Sequence, residues 1–195
     1  SCVGGVPVIR TLLDGVQGNR ITEMMGIING TTNYILTQMA EKEEEYGAAL
    51  AEAQRLGYAE ADPVNDVEGI DAAYKLAILS SLAFHTKVPY GKVYHEGISS
   101  VTKADIAYGK QLGYTLKLLA IGKNTEQGVE ARVHPTFISA SHPLASVGNS
   151  YNAVYLKGDA VGDIMLYGQG AGGLPTGSAV VSDIIFAATH SDIRY

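Results

Sequence analysis

The sequence of 195 residues has little of what marks a secreted, membrane-bound or nucleic-acid-binding protein. Its one cysteine, Cys2, excludes a disulfide within the chain and is typical of a reducing compartment. No apolar run approaches the roughly 18 residues of a membrane span, and the first residues lack the basic and apolar regions of a signal peptide. The 14 basic residues are outnumbered by 20 acidic ones and form no cluster that could follow a phosphate backbone. We therefore expect a cytoplasmic protein with no nucleic-acid or membrane partner.

The sequence is rich in apolar residues and in glycine. Hydrophobic residues make up 46% of the chain, which is enough for a substantial core. The length allows one domain, or one and a small partner, and we expect one domain over residues 1–195. The 23 glycines exceed the average share of roughly 7% and indicate tight loops or backbone that lies close to a ligand.

The order of the periodic segments predicts an α+β domain. Helical patterns dominate the first half, although residues 20–28 are predicted to form a strand. Alternating apolar and polar residues then predict four strands, over 114–122, 128–139, 150–158 and 161–167. Because strands cluster after helices, we expect a mixed or antiparallel sheet that is covered by helices.

Glycine and capping residues predict the helix ends. Gly57 is expected to end one helix in the left-handed conformation, and a later helix is expected to be capped by Thr102 and to stop near Gly113. In the run N-G-T-T-N-Y, Thr31 or Thr32 is expected to cap the helix that follows the Asn29–Gly30 turn.

The most informative stretch, residues 53–75, reads A-Q-R-L-G-Y-A-E-A-D-P-V-N-D-V-E-G-I-D-A-A-Y-K. Pro63 interrupts helical structure, and Asn65 or Asp66 is then predicted to cap one continuous helix. On that helix Asp71 and Lys75 are four residues apart and share a face beside the apolar stripe. A lysine held by a carboxylate at the mouth of a buried helix suits proton transfer, whereas the simpler interpretation is an ion pair on the helix surface.

These residues carry a resemblance to a known family. The pattern A-x3-G-Y-A-x2-D-P-x2-D-V-x-G-x-D-x3-K resembles the signature of homoserine dehydrogenase, which reduces aspartate β-semialdehyde to homoserine with NAD(P)H. Three further segments, V-G-G-x-P, N-G-T-x-N-Y and G-x-G-A-G-G-x-P-T, resemble the family in the same order. The resemblance implies the substrate-binding and catalytic half of the enzyme, without its N-terminal Rossmann domain.

The resemblance also implies roles for individual residues. Lys75 would donate the proton to the developing alkoxide, and Asp71 would orient Lys75 and the reacting oxygen. Glu60 would bind the substrate ammonium. Gly30, Thr31 and Tyr58 would shape the substrate pocket.

The glycines near the end satisfy G-x-G-x-x-G from Gly168 to Gly173, but no second strand with an acidic residue follows, as a Rossmann unit requires. A plain glycine-rich connection between a strand and the helix 176–189 would also explain them. The resemblance implies that the segment 168–195 returns towards the nucleotide-binding domain and lines the nicotinamide end of NADP or NAD. The implied cofactor-binding residues are Gly170, Ala171, Gly172, Gly173 and Thr176.

Two further properties follow from the resemblance. The first segment would hold a monovalent cation such as sodium through the backbone carbonyls of Cys2 and Gly4, although a glycine turn before a helix needs no cation. The family also forms homodimers through this domain. Against the dehydrogenase stands a function of another class, a non-redox module that binds an amino acid or mediates dimerisation.

Overall fold

Six strands form a single sheet in the computed structural model, which describes residues 2–190. The strand order is β2-β4-β3-β1-β5-β6, and every neighbouring pair is antiparallel except the parallel pair β2–β4. The α+β class and the mixed sheet are therefore confirmed. The strands are β1 (Ile21–Ile27), β2 (Tyr94–His95), β3 (Tyr114–Thr125), β4 (Gly128–Ser139), β5 (Tyr151–Gly158) and β6 (Gly162–Gln169).

In the described part of the chain, every α-helix except the last precedes β3, whereas the last follows β6. A π-helical turn over Thr11–Gly15 continues the first helix. The helices are α1 (Val8–Arg10), α2 (Gly30–Lys42), α3 (Tyr46–Arg55), α4 (Val64–Val67), α5 (Ile70–Ala83), α6 (Lys103–Gln111) and α7 (Gly173–Thr189). Among the helices of residues 2–190, none is long and apolar enough to cross a membrane.

The two faces of the sheet are buried to different extents. Leu118 and Ala120 of β3 point into the main core with α2 and α5, whereas Leu119 and Ile121 lie in a second cluster on the other face. A short turn, Pro143–Ser146, contributes Leu144 to that second cluster. Several large side chains on this face are only partly buried, namely Met25, Tyr151, Tyr155 and Met165.

Three expected helix boundaries, on α3 and α6, are confirmed, and three helix starts are corrected. Gly57 and Gly113 adopt left-handed conformations, and Thr102 forms a capping box with Asp105. The helix after the Asn29–Gly30 turn is capped by neither Thr31 nor Thr32. Asn29 caps it, because its side chain already accepts the Thr32 N–H at 2.9 Å.

The helix predicted to start at Asn65 or Asp66 and to continue past Ile70 is wrong. The chain forms α4 and α5 instead, and Gly69 between them has a φ of +74° that a helix cannot contain. The last helix also begins three residues before the expected Thr176. Pro175 lies in its first turn, where a missing N–H costs no hydrogen bond.

Lys117 is a buried cation in β3. Its side chain is 4% exposed, and its Nζ donates to the Val147 carbonyl at 2.6 Å and to Asn33 Oδ1 at 3.1 Å. Within residues 2–190, no acidic side chain lies at ion-pair distance from it. Burial lowers the pKa of Lys117 to about 8, and the charge of Glu41 opposes this effect only in part.

Because burial lowers the pKa of Lys117, we expect the free energy of unfolding to rise with pH. Between pH about 8 and its ordinary value of 10.5, the folded protein has released a proton that the unfolded chain still binds. The free energy of unfolding of the wild type, relative to that of Lys117→Met, should therefore increase by about 1–2 kcal/mol between about pH 7.5 and 9.5. Urea denaturation of both proteins at each pH measures this difference, and a difference that is independent of pH would contradict it.

Candidate active site

The pair Asp71 and Lys75 lies in the first half of α5, against the end of β1. Lys75 Nζ donates to Asp71 Oδ2 at 2.6 Å and to the carbonyl of Ile28 at 3.2 Å. Their side chains are 31% and 24% exposed, respectively, so both reach solvent while one side of the pair is covered. The hydrogen bond to the Ile28 carbonyl fixes the ammonium relative to the sheet. An ion pair on the free surface of a helix would lack such a bond.

Asn29 connects this pair to a second carboxylate. Its Nδ2 donates to Asp66 Oδ1 at 2.7 Å and to Asp71 Oδ2 at 3.0 Å, while its Oδ1 caps α2. The Asn29 side chain thus uses its donor and its acceptor at the same time, and it is 6% exposed. The amide holds two like charges from different helices in one place, where they would otherwise repel each other.

A cavity of about 500 Å³ lies in front of this network. Parts of α2, α5 and the loops before β5 and after β6 form its walls. The lining residues are Asn29, Gly30, Thr31, Gly57, Tyr58, Asp66, Asp71, Lys75, Ser150, Gln169, Ala171 and Gly172.

The charged side chains of the lining suit a small zwitterionic molecule that also carries an oxygen atom to be protonated. Two carboxylates, Asp66 and Asp71, face one ammonium, Lys75, so the cavity attracts a cationic group such as a substrate amine. Lys75 provides a proton donor next to this acidic side. Elsewhere in the lining, Thr31 Oγ1 donates to the Tyr58 carbonyl at 2.7 Å, which joins the start of α2 to the loop after α3.

The structure brings most of the predicted site residues to one cavity. Those that line it are Gly30, Thr31, Tyr58, Asp71, Lys75, Ala171 and Gly172. Glu60 lies outside this lining, on an exposed loop where its carbonyl accepts from Gln54 Nε2 at 3.0 Å. Gly170, Gly173 and Thr176 also lie outside the lining. The roles of all these residues stay predictions.

The first segment, which is predicted to hold a cation, packs against the glycine-rich loop of residues 170–173, called the glycine loop below. A Cβ on Gly4 would collide with the carbonyl of Gly170, so the two backbones are in direct contact. Cys2 is buried, and burial raises the pKa of its thiol. No group of three or more His, Cys, Asp or Glu side chains that could hold a metal occurs within residues 2–190. A cation on backbone carbonyls of Cys2 and Gly4 stays a prediction.

Sequence reasoning missed five lining residues. Gly57 is predicted only as the end of a helix, yet it lines the cavity. Asp66 was considered only as a helix cap, and Asn29 only as a turn residue, although both belong to motifs that resemble the family. Their position within those motifs was a signal that could have found them. Ser150 and Gln169 carry no comparable signal, since only the pairing of β5 with β6 brings them to the cavity.

The homoserine dehydrogenase family model matches residues 7–185. The chain belongs to the homoserine dehydrogenase family. The relative from Bacillus subtilis is 51% identical over 95% of this chain, and the one from Corynebacterium glutamicum is 52% identical over 96%. The alignments include 43% of each relative, so the chain spans less than half the length of these homoserine dehydrogenases.

Solved homoserine dehydrogenases share the fold. The structure from Thiobacillus denitrificans has a TM-score of 0.94 and 48% identity, over 99% of this chain and 46% of that one. A mutant of a hyperthermophilic archaeal homoserine dehydrogenase, solved in complex with NADPH, has a TM-score of 0.80 and 30% identity, over 96% of this chain and 54% of that one. Membership of this family favours the dehydrogenase over the non-redox binding module.

Asn29→Ala should cost more stability than the loss of a helix cap alone. It removes the cap of α2 and also the amide that separates Asp66 from Asp71. We expect a loss of about 2–4 kcal/mol in the free energy of unfolding at pH 7, against about 1 kcal/mol for the control Thr102→Ala, which removes only a cap. Urea denaturation measures both values. Equal losses would show that the bridging amide contributes nothing.

Proposed function

We propose that this chain is the substrate-binding and catalytic part of an NAD(P)-dependent homoserine dehydrogenase. It would interconvert L-aspartate 4-semialdehyde and L-homoserine in the cytoplasm, as a step in threonine and methionine biosynthesis. The observation that carries the proposal is the connected set Asp66, Asn29, Asp71 and Lys75, which places a proton donor and two carboxylates on one cavity. Such a cavity suits a small amino acid with an oxygen to be protonated.

Lys75 would supply the proton of the reaction. As hydride reaches the aldehyde carbon, negative charge develops on the carbonyl oxygen, and the Lys75 ammonium would neutralise it by donating a proton. In the opposite direction, the amine would accept the proton of the homoserine hydroxyl. Asp71, at 2.6 Å, keeps Lys75 pointing towards the cavity. The substrate ammonium would bind on the acidic side, to Asp66 and to the predicted ligand Glu60.

The glycine loop fits the end of a nicotinamide cofactor. Bound NAD(P)H would supply the hydride. Ala171 and Gly172 line the same cavity as Lys75, so a group lying against them would face the substrate. Gly172 has a φ of +117°, which favours glycine, and a Cβ on Gly173 would meet no atom within 4 Å. The backbone at Gly172 and Gly173 is therefore open to a flat ring. Gly170 and Thr176 would support that ring.

The exposed apolar residues of α7 favour contact with a further protein surface. None of the described residues of α7 is buried, and Leu174 is 90% exposed. The side chains of Val180, Val181, Ile184 and Ile185 are each more than half exposed. A helix with so many apolar side chains in water needs another protein surface to cover it. We propose that residues 168–190 pack against the nucleotide-binding domain, as the resemblance implies for the segment 168–195, of which residues 191–195 lie outside the described part of the chain.

Lys75→Ala in the full-length protein should lower kcat by about 10²–10⁴-fold, the usual loss for a missing general acid. The control Lys87→Ala removes an exposed lysine from the loop after α5 and should leave turnover unchanged. Steady-state oxidation of homoserine, followed by absorbance of the reduced cofactor, measures both variants. Wild-type turnover in Lys75→Ala would remove this residue from the mechanism.

The isolated chain should bind NADPH weakly or not at all. The pyrophosphate of a dinucleotide is normally held by the first turn of a Rossmann domain, and residues 2–190 contain no such unit. The loop at Gly170–Gly173 alone offers too few donors to replace it. Calorimetric titration of the chain with NADPH tests this expectation, and micromolar affinity would make the glycine loop the main phosphate site.

The chain should form a homodimer through the face of the sheet that the helices leave open. Met25, Tyr155 and Met165 are only partly buried there, and a twofold contact of more than about 1,000 Å² would cover them. Sedimentation equilibrium at micromolar concentration should give twice the monomer mass. Met165→Lys should shift the mass to the monomer, whereas Ile78→Lys on α5, half exposed, should not. A monomeric wild type would refute the dimer.

A further inference from the structure

The segment of residues 147–151 forms a wall of the active-site cavity that the proposed mechanism does not use. Ser150 lines the cavity, and a Cβ on Gly30 would lie 2.9 Å from the Ser150 carbonyl oxygen. The start of α2 and this segment are therefore in direct contact. A displacement of the segment would change the shape of the cavity beside Gly30 and Thr31, where the substrate is proposed to bind.

Three side chains hold this segment from behind. Lys117 Nζ donates to the Val147 carbonyl at 2.6 Å, and Asn33 Nδ2 donates to the Val147 and Tyr151 carbonyls at 3.2 Å and 3.0 Å. Thr37 Oγ1 accepts the N–H of Asn149 at 3.0 Å. We call these side chains the clamp. The clamp contacts residues on both sides of Ser150 and leaves the cavity itself free.

The backbone of the segment needs such support. Asn149 has a φ of +53°, in the left-handed region, which asparagine adopts more readily than most residues but less readily than glycine. Its N–H is bound by Thr37, and the carbonyls of Val147 and Tyr151 are bound by Lys117 and Asn33. These hydrogen bonds fix the backbone on both sides of Ser150.

Lys117 is the strongest member of the clamp and the least expected. A buried ammonium without a carboxylate at ion-pair distance is costly, so an apolar side chain would suit this strand better for stability alone. Its charge strengthens the hydrogen bonds to Val147 and to Asn33 Oδ1, and the second bond also orients the Asn33 amide. Lys117 thereby holds the segment directly at Val147 and also through the Asn33 amide.

We infer that Lys117 is a positioning residue of the reaction: through the clamp it holds residues 147–151 against α2 and so keeps the substrate side of the cavity in shape. Lys117 is not among the residues that line the cavity with Lys75 and Asp71. The inference rests on the proposed function for its kinetic consequence. The structural part of the inference, that the clamp holds residues 147–151 in place, does not depend on the activity.

The test uses Lys117→Met in the full-length protein, with Lys42→Met at the exposed end of α2 as the matched control. We expect the KM for aspartate semialdehyde to rise about tenfold or more. The KM for NADPH and kcat should stay within about threefold of wild type, because Lys75 and the glycine loop are untouched. Thr37→Val, which removes another contact of the clamp, should raise the same KM and serves if Lys117→Met does not fold.

Amide hydrogen exchange of peptides covering residues 147–151 gives a readout that does not depend on catalysis. In Lys117→Met these amides should exchange about tenfold faster than in Lys42→Met, while amides of β1 should be unchanged. If wild type shows no dehydrogenase activity, the proposed function fails and the exchange still decides whether the clamp exists.

Two results would overturn the inference. In the first, neither the substrate KM nor the exchange of residues 147–151 changes. In the second, exchange rises throughout the domain and kcat falls with an unchanged KM, which would make Lys117 a residue of general stability only.

Discussion

The candidate active site depends on one amide that lies between two carboxylates. Asp66 and Asp71 come from α4 and α5, and the Asn29 side chain donates to both at 2.7 Å and 3.0 Å. Without that donor the two acids would repel each other, and Asp71 would have only Lys75 to hold it in place. Because Asn29 also caps α2, the start of that helix and the acidic side of the cavity are fixed together. Gly69 permits the break that turns α5 towards this amide.

The sheet explains why separate segments meet at the cavity. β1 and β5 are antiparallel, with Ile27 opposite Ala153, so the end of β1 lies beside the start of β5. β5 and β6 are antiparallel as well, with Tyr151 opposite Gln169. The end of β6 therefore lies beside the start of β5, at the same end of the sheet. Three segments therefore lie together at this end of the sheet: the turn at Asn29, the segment that contains Ser150, and the glycine loop. The order of the strands, rather than any single motif, assembles the site.

The sequence predicted those features that depend on local pattern. Alternating residues located the strands of the second half, and Gly57, Thr102 and Gly113 marked helix ends because their chemistry restricts the backbone where they stand. The cap of α2 was mispredicted because Asn29, Thr31 and Thr32 all offer a suitable oxygen, and only the tertiary position of Asn29 decides among them. The break at Gly69 was missed because apolar residues continue the helical period across it.

The features that escaped prediction require contacts between distant parts of the chain. Asp66 and Asp71 share the Asn29 amide only because the chain breaks at Gly69 between α4 and α5. The spacing of Asp71 and Lys75 suited proton transfer, but it suited an ion pair on the helix surface as well. Lys117 is the clearest case. Its strand reads Y-T-L-K-L-L-A-I, and the alternation of a strand would place a lysine in solvent, whereas the packing of α2 and residues 147–151 buries it.

The most direct measurement of the central claim is a crystal structure of the full-length protein with homoserine and NADP⁺ bound. The account places the hydroxyl oxygen of homoserine within hydrogen-bond distance of Lys75 Nζ, about 3 Å, with its ammonium on the acidic side formed by Asp66 and Asp71. The nicotinamide ring would lie against Ala171 and Gly172. Homoserine bound outside this cavity, or bound in it with Lys75 turned away from the hydroxyl, would contradict the account.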